Sequence, residues 1–260
     1  MKEFFELRGE LNKNKTLTLQ IAGFLILVIV WQLTSMFIGS NAILPPPLNV
    51  ITAFHDLHFN DFLLYNASIS IKLNLLGFLE AVLIAVPIGF VLGLFPLFRE
   101  LFGKPIDALR FVPLTALTGL FIAWFGIETN MKVQFLAFGI IVYLLPVVIQ
   151  RIAEVDKVYP QTSYTLGAVK WQTIKSVYFP AVMAKVSDDI RVLTAISWTY
   201  IIVPEMINQN GGVGAMIFKS ARQSRLDKVF AILIVIVIIG FLQDRLFKWL
   251  DKKLFPYKYI

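Results

Sequence analysis

The chain contains no cysteine, which excludes disulfide bonds and any thiolate metal site. It is also poor in charge. Asp, Glu, Lys and Arg make up 16% of its 260 residues, hydrophobic residues make up 57%, and mean hydropathy is +0.73. A soluble domain of this length has no core large enough to bury so much apolar surface. The chain has no GxxxxGK[ST] stretch, and so no P-loop of its own to bind ATP. No Ser/His set or HExxH sequence falls in the apolar runs, which leaves no basis for an intramembrane enzyme. The formal charge of +7 is not gathered into a basic patch interleaved with aromatics, so nucleic acid is not an expected partner.

What the chain does have is a series of long apolar runs. A membrane-crossing helix needs about 20 mostly apolar residues. The runs 19–38, 69–95, 111–125 (starting near Ile106), 133–149, 181–206 and 229–247 meet that need. The expected fold is therefore an all-α membrane protein of about six transmembrane helices, with no separate soluble domain. Its expected parts are a cytoplasmic segment 1–18, a transmembrane unit 19–253 that includes a loop 151–180, and a cytoplasmic tail 254–260. The charged opening MKEFFELRGELNKNK and the small residues Ser40-Asn41-Ala42 mimic a signal peptide. The first apolar run is longer than the ~7–15 residues of such a peptide, so it reads as a retained helix.

Positive charge fixes the expected orientation. Lys13 and Lys15 precede the first run, and Arg99 and Lys104 separate the second from the third. Arg151, Lys157, Lys170 and Lys175 separate the fourth from the fifth, and Arg245, Lys248, Lys252 and Lys253 close the sixth. The opposite side has no Lys or Arg from 39 to 70 and only Lys132 between the third and fourth runs. Both termini are therefore expected in the cytoplasm. The group Lys219, Arg222, Arg225 and Lys228 dissents.

Between the fourth and fifth runs lies QTSYTLGAVKWQTIKSVYFP, from Gln161 to Pro180, polar and basic among apolar neighbours. Pro160 suits a first helical position. From Trp171 onward, Trp171, Ile174, Val177 and Tyr178 recur at helical spacing and predict one apolar stripe. Gly167 divides two short helical pieces where a residue without Cβ permits a bend. Pro180 is expected to end the second piece and begin the fifth span. Two readings fit this pattern: an amphipathic loop on lipid headgroups, or a docking element for a cytoplasmic partner.

The loop resembles a known signature. Membrane subunits of bacterial ABC importers carry EAA, three residues, Gly, nine residues, and Ile-x-Leu-Pro. Here Gln161-Thr162-Ser163 stands at the EAA position, followed by Gly167 and then Val177-Tyr178-Phe179-Pro180 at the same spacing. Leu44-Pro45-Pro46-Pro47 resembles the LPSP stretch of nitrate/sulfonate/taurine-type permeases. The run 121–126, FIAWFG, resembles their LFILWFG, and Thr165-Leu166-Gly167-Ala168 their TLGA. Trp198, Pro204-Glu205-Met206 and Gly212-Val213-Gly214 resemble the W…AEM…GLG series. The likeness runs from about Ile43 to Lys253.

This resemblance implies a type I ABC importer-like fold whose loop is a coupling helix between helices four and five. It implies a multi-pass permease subunit of the bacterial cytoplasmic membrane that is not itself catalytic. Its implied partners are two cytoplasmic P-loop ATPases carrying ATP and Mg, and a second permease subunit expected to be an identical copy. A periplasmic or lipid-anchored binding protein would deliver a small solute: a sulfonate, taurine, nitrate or bicarbonate, or alternatively a thiamine-precursor pyrimidine. The implied ATPase-coupling residues are Gln161, Thr162, Ser163, Leu166, Gly167, Ala168, Trp171, Val177 and Pro180. Having Gln161, Thr162 and Ser163 in place of Glu-Ala-Ala removes a charge from the docking surface. A secondary transporter, the remaining rival, would show internal repeats, and none is visible.

Polar groups inside the spans complete the reading, because such groups are functional candidates by default. Thr115, Thr118, Trp124, Arg191, Trp198, Tyr200 and Glu205 are the expected lining of the translocation path. Spans three and five, with parts of two and four, should line it, and spans one and six should face lipid. Arg191 and Trp198 share one helical face, with Arg191 expected to pair with Asp188 or headgroups if it is not in the path. Glu80 is expected to hydrogen-bond to a neighbouring helix, and Lys72 to reach the interface. Pro113 should weaken the third span. His55 and His58, beside Asp56 and Asp61, have a zinc-compatible spacing but no further ligand set. No metal is expected there; Val50, Ile51, Phe54 and Leu57 are expected to face lipid on an interfacial helix.

Overall fold

The computed structural model describes residues 9, 11–39 and 43–259. The Ser40-Asn41-Ala42 triplet and most of the opening charged segment lie outside the described residues. Among those described, regular structure is helical throughout, with no strand. The helices are α1 (Lys13–Ile38), α2 (Pro47–Phe59), α3 (Leu63–Leu94), α4 (Pro96–Leu109), α5 (Thr118–Phe125) and α6 (Thr129–Ala153). They continue as α7 (Val158–Thr165), α8 (Lys170–Thr173), α9 (Phe179–Ile207), α10 (Val213–Arg222) and α11 (Leu226–Leu254). We call the end of the bundle where α1 begins and α11 finishes proximal, and the opposite end distal.

Five helices are long and apolar enough to span a membrane: α1, α3, α6, α11 and the joined stretch Lys170–Ile207. Where the third span, 111–125, was expected, the chain is not one helix. Pro96–Leu109 and Leu114–Phe125 form a pair bent by 94°, with a 3₁₀ turn at Leu114–Leu117 entering α5. Pro113 sits at the corner. It has no N–H to give to the preceding turn, and its ring clashes with a helical carbonyl four residues back. The span breaks there rather than bending.

The core is a seam between α3 and α6. Gly77, Ala81, Ala85 and Gly89 recur every fourth residue on α3 and face α6. A Cβ at Gly89 would lie 2.6 Å from Val148 Cγ1, so only a small residue allows this approach. In lipid, where burying apolar side chains gives helices little net drive to associate, such close packing is a main source of cohesion. Glu80 on α3 accepts from Gln134 on α6 at 3.0 Å, as expected of a polar group within a span. By contrast, α1 lies at the edge and buries only Ser35. The Ser35 hydroxyl and the Trp31 indole donate to the carbonyls of Leu44 (2.8 Å) and Pro45 (3.0 Å). The proline stretch is held by these bonds.

The face of α2 differs from expectation. Val50 and Leu57 are fully buried against the protein, Phe54 is half-buried against the core, and only Ile51 is exposed. Two ion pairs draw α2 inward: Asp56 with Arg225 (3.2 Å), and Asp61, just past the helix, with Lys228 (2.5 Å). Asp227 takes the rest of Arg225 at 2.8 Å, and these hydrogen bonds raise the Arg225 pKa. Two members of the dissenting basic group are thereby neutralised at the distal end, and Lys219 and Arg222 stay exposed. The rings of His55 and His58 pack on Phe59.

Candidate functional site

At the proximal end, α7 and α8 form the two short helices expected around Gly167. Gly167 has φ +83° with open space where a Cβ would be. The constraint there is backbone conformation, since left-handed φ suits glycine. The hydroxyls of Ser163 and Thr173 meet across the bend at 3.1 Å, and Gln172 Oε1 accepts from the Val169 N–H at 2.9 Å to cap α8. These bonds fix the angle between the two pieces.

Pro180 does not end a helix. The chain runs on from α8 through a π turn, Ile174–Tyr178, into α9, and Phe179 N–H bonds to the Ile174 carbonyl five residues back. The widened turn spares Pro180 the clash an α-helix would impose. The expected stripe splits as a result. Trp171 is exposed, Ile174 and Val177 are half-buried, and Tyr178 packs on the core.

Every expected coupling residue except Gln161 and Trp171 lines one open groove of about 1170 Å³. Leu166, 82% exposed, and Val169 stand proud beside it, next to Trp171. Apolar side chains this exposed at a helical bend form a patch of the kind that meets another protein or a lipid surface. Below the groove, the Arg151 guanidinium donates to Asp189 on α9 and to Glu154. Those bonds hold the Glu154 carboxyl below the usual carboxylate range.

The second feature is a hollow of about 240 Å³ at the broken span, between its corner, α6 and α9. Of the residues expected in the path, Thr115 and Tyr200 line it, together with Tyr143, Thr199 and, at the corner, Arg110. The rings of Tyr143 and Tyr200 stack with centroids 6.3 Å apart. Tyr143, on the fourth span, and Thr199, on the fifth, were not named individually among the residues expected in the path. Thr199 adjoins Tyr200, and Tyr143 lies one turn past Gly139, where a Cβ would lie 2.9 Å from Tyr200 Cδ2.

The other residues expected in the path do not line this hollow. Trp198 is buried and donates to Gln243 on α11 at 2.9 Å. Arg191 pairs with Asp244 on the same helix, rather than with Asp188. Both therefore face α11, so the sixth span is not featureless. Trp198 and Tyr200, two residues apart on a helix, point in nearly opposite directions. Thr118 turns back to the Thr115 carbonyl at 2.7 Å, and Trp124 is exposed against Phe121. Glu205 is fully buried at the distal end, where it accepts from Ser70 Oγ (2.6 Å) and Gly214 N (2.8 Å). The Ser70 oxygen in turn accepts from Val213 N at 2.8 Å. A Cβ on Gly212 would strike the Glu205 carboxylate, so glycine there makes room for the clamp. Lys132 is buried beside this region and donates to the Gly211 carbonyl at 3.4 Å.

Comparison with known proteins agrees with this geometry. Residues 85–256 match the family model described as binding-protein-dependent transport system inner membrane component. A putative ABC transporter permease of Methanocaldococcus jannaschii is 31% identical over 253 residues, covering 94% of each chain. A putative aliphatic sulfonates transport permease of Bacillus subtilis is 30% identical, covering 90% of this chain and 85% of the relative. The fold also resembles the crystal structure of an amino acid ABC transporter with histidines, at TM-score 0.56 and 16% identity, over 78% of this chain and 97% of that one. The chain belongs to the binding-protein-dependent ABC importer permeases, as a non-catalytic, multi-pass inner-membrane component.

Proposed function

We propose that this permease moves a small organic or inorganic oxyanion, a sulfonate foremost, and that separate P-loop ATPases drive it through the proximal groove. The observation that carries the reading is the groove itself, where residues of α7 and of the proximal end of the Lys170–Ile207 helix converge around a glycine bend. The ATPase pair holds ATP and Mg, and closing it pushes on α7 and α8. The push reaches α9 directly, because Lys170–Ile207 is one continuous helix. Two copies of the chain, related by a two-fold axis, supply two grooves for two ATPases.

The substrate class rests on two supports. The Bacillus subtilis relative bears a sulfonate name. The hollow at the broken span offers hydroxyls from Thr115, Tyr143, Thr199 and Tyr200, with Arg110 at the corner. Neutral donors stabilise an anion without trapping it, which a path for transit requires. Both termini lie in the cytoplasm on this reading. The proximal end carries Arg99, Lys104, Lys157, Lys170 and Lys175, while Arg225 and Lys228 at the distal end are paired with aspartates. Proteoliposomes holding the permease, its ATPases and binding protein should accumulate labelled taurine only when ATP reaches the ATPases. Uptake by the permease alone would contradict the proposal and favour a secondary transporter.

A further inference from the structure

The residues after α11 received no role from the sequence, yet the chain draws them back across the proximal end. Phe255 leaves the helix, and Pro256–Lys258 form one 3₁₀ turn. Tyr257 Oη donates to the Pro180 carbonyl at 2.8 Å, and Tyr257 lines the groove opposite α7. The Lys258 ammonium binds Asp188 Oδ1 on α9 at 2.6 Å, Asp251 Oδ2 on α11 at 2.9 Å and Ser187 Oγ at 3.3 Å. Tyr259 donates to Asp251 as well. Burial works against the Lys258 charge, but the bonds to Asp188 and Asp251 outweigh it and raise its pKa.

We infer that the C-terminal tail forms the far wall of the ATPase-docking groove and fastens the π-turn exit to both α9 and α11. The inference rests on the docking reading above and adds residues that the coupling signature does not contain. Three observations carry it. The groove lining is continuous from α7 to Tyr257, so a partner filling the groove meets that ring. The one lysine of the turn is consumed by internal ion pairs with side-chain exposures of 19% for Lys258 and 10% for Asp251. Lys258 therefore serves as an anchor and leaves the aromatic residue to meet the partner. The Pro180 carbonyl lies just past the π turn, where any displacement of the loop enters α9. A push at the groove then reaches α11 through Tyr257 and Lys258, as well as reaching α9 through the helix.

The test uses the complete complex in lipid nanodiscs. Tyr257→Phe keeps the wall and loses only the bond to Pro180, while Tyr257→Ala loses both. Tyr257→Ala should weaken ATPase association about tenfold, as expected for truncating an aromatic anchor at an interface. Tyr257→Phe should retain association but move less solute per ATP hydrolysed. Unchanged association and unchanged coupling in both variants would overturn the inference. Tyr257→Cys supplies a second measurement that does not depend on a destabilised chain, because the protein has no native cysteine. A short bifunctional thiol reagent should join it to the ATPase as readily as it joins Leu166→Cys. Joining at 166 without joining at 257 would sink the tail proposal and leave the docking reading standing. Joining at neither position would overturn both.

Discussion

Arg151 and Asp189 face each other in a two-pronged hydrogen bond, Nε to Oδ2 and Nη2 to Oδ1, each 2.8 Å. The pair links the last turn of α6 to α9 and so closes the base of the whole loop 152–188. Bidentate geometry of this kind is the strong form of a charge pair. Arg151→Lys keeps the charge and loses the fork. Because both groups are partly exposed, the stability loss should be only about 1 kcal/mol. Uptake should fall further than stability, since the groove would sit on a looser base. Thermal unfolding in detergent beside an uptake assay measures both. Wild-type uptake in this variant would contradict the role assigned to the pair.

Gly167→Val should insert normally and lose transport. The space beside Gly167 is open, so the penalty comes from a β-branched residue at φ +83° and is on the order of 1–3 kcal/mol. Straightening the bend would relieve it, at the expense of the groove. Gly167→Asn tolerates left-handed backbone and should retain much more activity. Equal activity in the two variants would show that backbone conformation at this position does not matter.

The Glu205 clamp holds the distal loop onto α3 and α9. Glu205→Ala leaves Ser70 Oγ and Gly214 N–H buried without their acceptor, at about 1–3 kcal/mol for each orphaned group. Glu205→Gln keeps a carbonyl acceptor and should lose less. Melting midpoints ordered wild type, Gln, Ala are expected. An Ala variant as stable as the wild type would exclude a structural role for this carboxylate.

How far the sequence foretold these features depends on the physics behind each. The spans were legible because lipid demands about 20 apolar residues wherever a helix crosses. The loop was legible because Gly167 and Pro180 stand at fixed spacing in a polar stretch. The break at Pro113 was only half legible: proline marks a weak point, but composition does not say whether a span bends or parts. The direction faced by Val50 and Leu57 could not be read, since lipid and protein core both accept apolar side chains. It was set by Asp56 meeting Arg225 across 169 positions. The partners of Trp198 were hidden for a similar reason. Helical phase joins it correctly to Arg191, but phase alone cannot show that their shared face meets Gln243 and Asp244 on α11.

The hollow at the broken span yields a labelling pattern. Single cysteines at positions 115, 199 and 200 should react with water-soluble thiol reagents in the assembled transporter, and transported solute should slow them. A cysteine at position 198 should stay unreactive behind α11, and cysteines along α1 should react only with lipid-soluble reagents. Rapid labelling at 198 together with silence at 115 and 200 would move the path to the other face of α9.

The most direct test of the account is site-specific crosslinking at Leu166, the most exposed apolar side chain of the groove rim. It needs no knowledge of the substrate, and the absence of native cysteine gives it no background. Leu166→Cys should crosslink to a P-loop ATPase in the intact membrane, and the yield should change when ATP binding closes the ATPase pair. An ATPase that co-purifies with this chain yet never joins residue 166, with or without ATP, would contradict the coupling role given to this loop.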